Sequence, residues 1–292
     1  MCDERTAKEE EEYLTRSGQL TRRQFGKLSA GAGLAMLLPK VANAMDVTGA
    51  DINVTTPDGV ADCYFVHPAS GKYPGILMWP DIFGLRPAFK TMATRLAESG
   101  YSVLVVNPYY RKEKAPVVAE GASFSDEKVR DKLVSFMQSL TPEIVTKDGE
   151  AFIGFLEQQA AVDQNRKMGT TGYCMGGPFT MRTAAALPDK IGAGASFHGA
   201  RLAYDGPDSP HLLVPEMKAQ FLFAIAESDD KSDPKAKELL REAFDKAGLK
   251  AEIEVYKGTM HGWCAIDSRV YNKEQAERAW SRQLVLLKKA LA

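Results

Sequence analysis

Gly172-Tyr173-Cys174-Met175-Gly176 has the G-x-S-x-G spacing of a nucleophile elbow, with cysteine in the serine position. An elbow sets its nucleophile on a tight turn between a strand and a helix, and the flanking glycines let the backbone pass close by. Residues 167–171 read as a short strand leading in. Residues 177–187 read as a helix leading out, with Pro178 where a first turn tolerates proline. A helix N-terminus stabilises a thiolate, the reactive form of the side chain. A buried cysteine in a glycine-rich turn has the same local pattern, so the pentapeptide needs partners.

A thiol nucleophile needs a base to take its proton and a carboxylate to orient that base. In an α/β-hydrolase they follow in the order nucleophile, acid, histidine, each after a strand. Of the four histidines, His261 fits: it follows the strand-like run 251–256 across the short loop 257–260. The acid should lie between, after the continuous apolar run 221–226, which ends in Glu227-Ser228-Asp229-Asp230. Asp229 is the choice and Asp230 the reserve, against the alternative of a solvated loop or a cap. His198 follows another apolar run, 193–197. It reads either as a substrate contact or as a histidine bonded within its own loop, the latter favoured. His67 and His211 carry no partner pattern and no role is assigned to them.

The elements that must position these residues alternate along the chain. A hairpin with its turn at 55–59 comes first, then strands at 75–79 and 101–106, with a helix over 89–99 that Gly100 stops. Alternating strands and helices imply the α/β class, a mostly parallel central sheet with helices on both faces. The polar stretch 112–145 is longer than a simple crossover. It reads as an excursion over the C-terminal edge of the sheet that shapes specificity, or as an ordinary surface helix.

Three motifs carry a resemblance: Trp79-Pro80-Asp81-Ile82-Phe83-Gly84-Leu85, Gly172-Tyr173-Cys174-Met175-Gly176-Gly177 and His261-Gly262-Trp263. Over about residue 54 to the C-terminus, the chain resembles the dienelactone hydrolase family, cysteine-nucleophile members of the α/β-hydrolase fold. The resemblance implies hydrolysis of a carboxylic ester or lactone without cofactor. It implies Asp81 as the resting partner of the thiol, and the amides of Ile82 and Met175 as the oxyanion hole. The family usually has glutamate where Asp81 stands, one methylene longer. Its better-known members bind a substrate carboxylate through two arginines: Arg111 matches the first, and Ala265 replaces the second. Arg201 could supply a charge instead, and Tyr110, beside Arg111, and Trp263, in the histidine motif, join the substrate-contact candidates. A broad carboxylesterase or thioesterase is the near alternative. A catalytically silent ligand-binding or thiol-sensing protein is the distant one.

The N-terminus carries a second pattern. Arg22 and Arg23 precede the mildly apolar stretch 28–38, Pro39, and the A-x-A-like Ala42-Asn43-Ala44. This resembles a twin-arginine export signal, a receptor-read address. It predicts residues 1–44 as signal and N-terminal extension, 45–292 as the hydrolase domain, and cleavage near Ala44 into the periplasm or another exported location. The export machinery would then be a partner of the precursor. Glu9-Glu10-Glu11-Glu12 reads as a solvated extension.

The apolar stretch is too short to span a bilayer, so no stable membrane association is expected. A formal net charge of −1 gives no basic signature for nucleic acid. The histidines lack metal-type spacing, and a triad acting on an ester needs no metal. Of the four cysteines, Cys2 would leave with the signal. Cys63 reads as a buried thiol, and Cys264 lies near His261.

Overall fold

Apolar runs that no surface could tolerate build the centre of the molecule. In the computed structural model, which describes residues 4–17, 34 and 36–292, they form one eight-stranded sheet. The strands are β1 (Val47–Thr56), β2 (Gly59–Pro68), β3 (Gly75–Trp79), β4 (Ser102–Val106), β5 (Met168–Tyr173), β6 (Ile191–Phe197), β7 (Gln220–Ala226) and β8 (Ala251–Tyr256). Their spatial order is β1-β2-β4-β3-β5-β6-β7-β8. The β1–β2 hairpin and the β2–β4 pair are antiparallel, and all other pairs are parallel. Strands β3 to β6 are buried at every residue, as parallel strands covered on both faces must be.

Helices follow in the chain as α1 (Glu4–Ser17), α2 (Pro87–Glu98), α3 (Glu127–Gln138), α4 (Pro142–Glu157), α5 (Gly176–Ala186), α6 (Glu227–Ser232), α7 (Ala236–Ala247) and α8 (Lys273–Ala290). Alternate strand residues point to opposite faces, which separates two cores. Leu77 and Trp79 pack with Phe152 of α4, Phe179 of α5 and Phe244 of α7. Ile76 and Met78 pack with Phe89 of α2 and Leu287 of α8. Each such side chain contributes roughly 1.5–3 kcal/mol when fully buried. This is the α/β-hydrolase fold.

Register then sets the site. Trp79 pairs with Gly172, Tyr173 with Phe197, Phe197 with Ala224, and Ala226 with Tyr256. The carboxyl ends of β3, β5, β6, β7 and β8 therefore lie level, and the residues just after them share one edge, where ligands bind in such sheets.

Arg22, Arg23 and Cys2 lie outside the described residues. The acidic stretch expected to be a solvated extension belongs to α1, a helix whose Leu14 is buried. Leu34 packs in the core beside Leu85 and Phe89. Ala42-Asn43-Ala44 is exposed and precedes β1. Among the described residues, no helix is long and apolar enough to cross a membrane.

Candidate active site

The elbow is built by close approach. A side chain at Gly172 would collide with the carbonyl of Gly176, and one at Gly176 would come within 2.5 Å of the carbonyl oxygen of Trp79. Cys174 itself has φ of 52°, the left-handed region that non-glycine residues occupy only under constraint. The constraint is visible: its N–H donates to the Phe197 carbonyl at 3.0 Å, and its carbonyl accepts from Gly177 and Ala200. The thiol is thereby held at the foot of α5, three per cent exposed.

His261 meets it. Nε2 lies 3.0 Å from Sγ of Cys174, and Nδ1 lies 2.9 and 3.0 Å from the two carboxylate oxygens of Asp229. The segments carrying Asp229 and His261 are stitched together: the His261 N–H donates to Ser228 Oγ, and the Ser228 N–H donates to the Thr259 carbonyl. Burial works to lower the His261 pKa, but the charge of Asp229 and then that of Cys174 outweigh it and raise the pKa to about 10. Asp230, the reserve acid, turns instead to Lys237 at 2.6 and 2.8 Å. Asp229 lies not in a plain loop but in the first turn of α6.

A cavity of about 470 Å³ opens over this trio, lined among others by Asp81, Ile82, Cys174, His198 and His261. Among the described residues, the N–H groups of Ile82 and Met175 donate to no other group, as an oxyanion hole requires. Tyr109 links their two residues: its hydroxyl donates to the Ile82 carbonyl at 2.8 Å and lies 3.3 Å from the Met175 sulfur. Sequence reasoning chose the neighbour, Tyr110. That hydroxyl instead bonds Asp148 and Thr56 and does not line the cavity.

Asp81 is near the thiol, but its carboxylate is directed elsewhere. Both oxygens accept from Arg86, at 2.6 and 2.8 Å, and one also accepts the Phe83 N–H at 2.9 Å. The shorter side chain turns back onto its own loop, and the charge of Cys174 still acts on it. Arg86 in turn grips Asp267, on the loop after His261, with two more hydrogen bonds of 2.6 and 2.8 Å. Burial opposes the guanidinium charge, yet the carboxylates of Asp267 and Asp81 raise its pKa further. Neither Arg86 nor Asp267 was legible as a site residue.

The other substrate-contact candidates lie elsewhere, and none lines the cavity. Arg111 is bound by Asp148 and Asp58. Arg201 is exposed and lies over the Tyr204 ring. Trp263 is fully buried and stacks on Tyr256. The cavity wall comes instead from residues 116–129 of the long excursion, including Val118, Phe124 and Val129. His198 is not bonded within its loop. Both ring nitrogens are buried without a hydrogen-bond partner among the described residues, and its ring packs edge-on to His261 at 5.2 Å. Burial, reinforced by His261, holds its pKa well below the ordinary histidine value.

Among the described residues, Cys63, Cys174 and Cys264 form no disulfide. Among the described residues no cluster of histidine, cysteine and carboxylate side chains has a metal-binding arrangement.

A model of the dienelactone hydrolase family matches residues 61–291. A Methylorubrum extorquens protein named "Putative carboxymethylenebutenolidase" is 28% identical over 276 residues, covering 90% of this chain and 91% of its own. The carboxymethylenebutenolidase of Pseudomonas putida is 26% identical over 220 residues, covering 75% of this chain and 87% of its own. The crystal structure of dienelactone hydrolase from Anabaena variabilis superposes with a TM-score of 0.62 at 14% identity, covering 84% of this chain and 99% of that one.

Proposed function

Because the chain belongs to the dienelactone hydrolase family, we propose that it hydrolyses carboxylic esters or lactones through an acyl-cysteine intermediate. The observation that carries this reading is the unbroken Cys174–His261–Asp229 chain, with contacts of 3.0 and 2.9 Å. Sγ, its proton already passed to Nε2, attacks the carbonyl carbon. The oxyanion that forms takes hydrogen bonds from the amides of Ile82 and Met175, each worth about 3 kcal/mol in comparable sites. Collapse breaks the acyl–oxygen bond, and Nε2 returns the proton to the departing alkoxide. Nε2 then takes a proton from water, which attacks the thioester. The acid leaves and the thiol is restored, so one water is consumed per bond cleaved. Asp229 fixes the imidazole with Nε2 toward the sulfur and stabilises its charged form.

The test is a panel of lactones and chromogenic esters assayed with and without prior alkylation by iodoacetamide. Hydrolysis that alkylation removes supports the reading; hydrolysis indifferent to it does not. Export forms part of the same proposal: the exposed Ala42–Ala44 segment would be accessible to a peptidase. Replacing Arg22 and Arg23 by lysine should then leave an uncleaved precursor inside the cell, and the parent's mature form should begin at or near Met45. An exported, processed double-lysine variant would argue for a different signal.

A further inference from the structure

Among the described residues, carboxylates outnumber cations on the lining of the cavity over Cys174. Asp81, Glu120, Asp126 and Asp267 face Arg86 and Arg269 there, a formal excess of two negative charges. Arg86 offers nothing to an incoming anion. A guanidinium has five N–H donors, and all five are engaged: Nε with Asp267, Nη1 with Asp81 and the Gly84 carbonyl, Nη2 with Asp81 and Asp267. A substrate carboxylate placed against it would have to displace one of two carboxylates already bound. Arg269 brings a single positive charge, while Glu120 and Asp126 bring two negative ones to the excursion's side of the same space.

The apolar part of the lining has a continuous origin. Ile82 and Phe83 come from the loop carrying one oxyanion amide, and Pro116, Val118, Phe124 and Val129 from the excursion. The Phe83 and Phe124 rings pack edge to face at 6.3 Å, joining the two segments. A hydrocarbon chain or aromatic ring leaving water for this wall gains free energy in proportion to the area it buries. A carboxylate in the same place loses its hydration and meets like charge.

On the hydrolase reading above, we propose that the site selects neutral esters or lactones with an apolar acyl or aryl group. Substrates bearing a carboxylate beyond the scissile bond are disfavoured.

The test compares 4-nitrophenyl hexanoate with 4-nitrophenyl hydrogen adipate, acyl chains of equal length ending in a methyl or a carboxylate. With the full-length chain at low salt, kcat/KM should favour the hexanoate by about tenfold or more, the consequence of leaving a charged group unpaired. Added salt should narrow the ratio. Glu120→Gln with Asp126→Asn should narrow it too, and asparagine at 126 keeps the cap of α3. A ratio near one, or a preference for the adipate ester that Arg269→Gln abolishes, would overturn the proposal.

Protection of Cys174 from iodoacetamide, read by peptide mass, gives the same comparison without turnover. Stronger protection by hexanamide than by adipamate supports the proposal, and the reverse overturns it. If neither ester is hydrolysed, the hydrolase reading fails, and the protection ratio still decides the charge preference.

Discussion

Two arginines in this molecule each grip two aspartates, and only one pair of contacts belongs to the site. Arg111 bonds Asp148 at 2.6 and 2.8 Å and Asp58 at 2.8 and 3.2 Å, which ties the β1–β2 turn to helix α4. Arg86 bonds Asp81 and Asp267 over a similar range, which ties the loop after β3 to the loop after His261. The chemistry is the same and the consequence differs. One clamp joins scaffold to scaffold; the other joins the segment carrying the Ile82 amide to the segment that follows His261. A pairing between charged groups acquires functional meaning from which strand ends it bridges.

The same contrast recurs in adjacent carboxylates and gives the largest expected effect. Asp229→Asn should lower kcat by about 10⁴-fold, because the imidazole loses its tautomer lock. Asp230→Asn breaks only an ion pair with Lys237 and should stay within a few-fold. Equal losses would dissolve the distinction between the two.

The clamps themselves come next. Arg86→Leu should lower kcat/KM by about 10²-fold, the cost of displacing a reacting group by about an ångström. Arg111→Leu should instead cost stability, about 3–5 kcal/mol for leaving the buried Asp148 uncompensated, discounted for the partial exposure of the arginine. Urea unfolding beside steady-state kinetics on both variants separates the two roles. A kinetic defect in the Arg111 variant equal to that of Arg86 would remove the contrast.

The pH profile sharpens the account of the base. With the His261 pKa raised to about 10, the imidazole keeps its proton through neutral pH, and activity should fall only as pH rises through about 10. Asp229→Asn removes the largest raising influence and leaves burial, which lowers the pKa. The alkaline limb of its residual activity should therefore move to lower pH. An unmoved limb would assign that titration to another group.

The smallest effect divides neighbouring tyrosines. Tyr109→Phe loses the hydrogen bond to the Ile82 carbonyl and should lower kcat by about three- to tenfold. Tyr110→Phe should leave kcat unchanged and lower stability by about 1 kcal/mol. A reversed pattern would restore Tyr110 to the site.

What the sequence made legible was local or ordered along the chain. The elbow is legible because glycines at 172 and 176 and the helix that follows are a single steric requirement. The sheet is legible because parallel strands covered on both faces must be apolar throughout. Asp229 and His261 were found by chain order and by the strands that precede them. The clamp was not, because Arg86 and Asp267 lie 181 residues apart and nothing local to either marks the partner. Asp81 could be placed in its loop, but the side to which its short carboxylate turns depends on that distant arginine. Tyr109 and Tyr110 differ only in the direction each side chain takes after β4, which the backbone decides. The stretch 112–145 announced itself by length, yet its contribution to the cavity wall depends on where its turns fold back.

The most direct test of the central claim is to trap the acyl-enzyme. A chromogenic ester that deacylates slowly is mixed with the protein, quenched rapidly in acid, and followed by intact mass and peptide mapping. The account predicts a mass increase equal to one acyl group, located on Cys174 and absent from Cys174→Ala, which should retain the fold and lose turnover. Turnover that persists in Cys174→Ala, or an acyl group mapped to another residue, would contradict it.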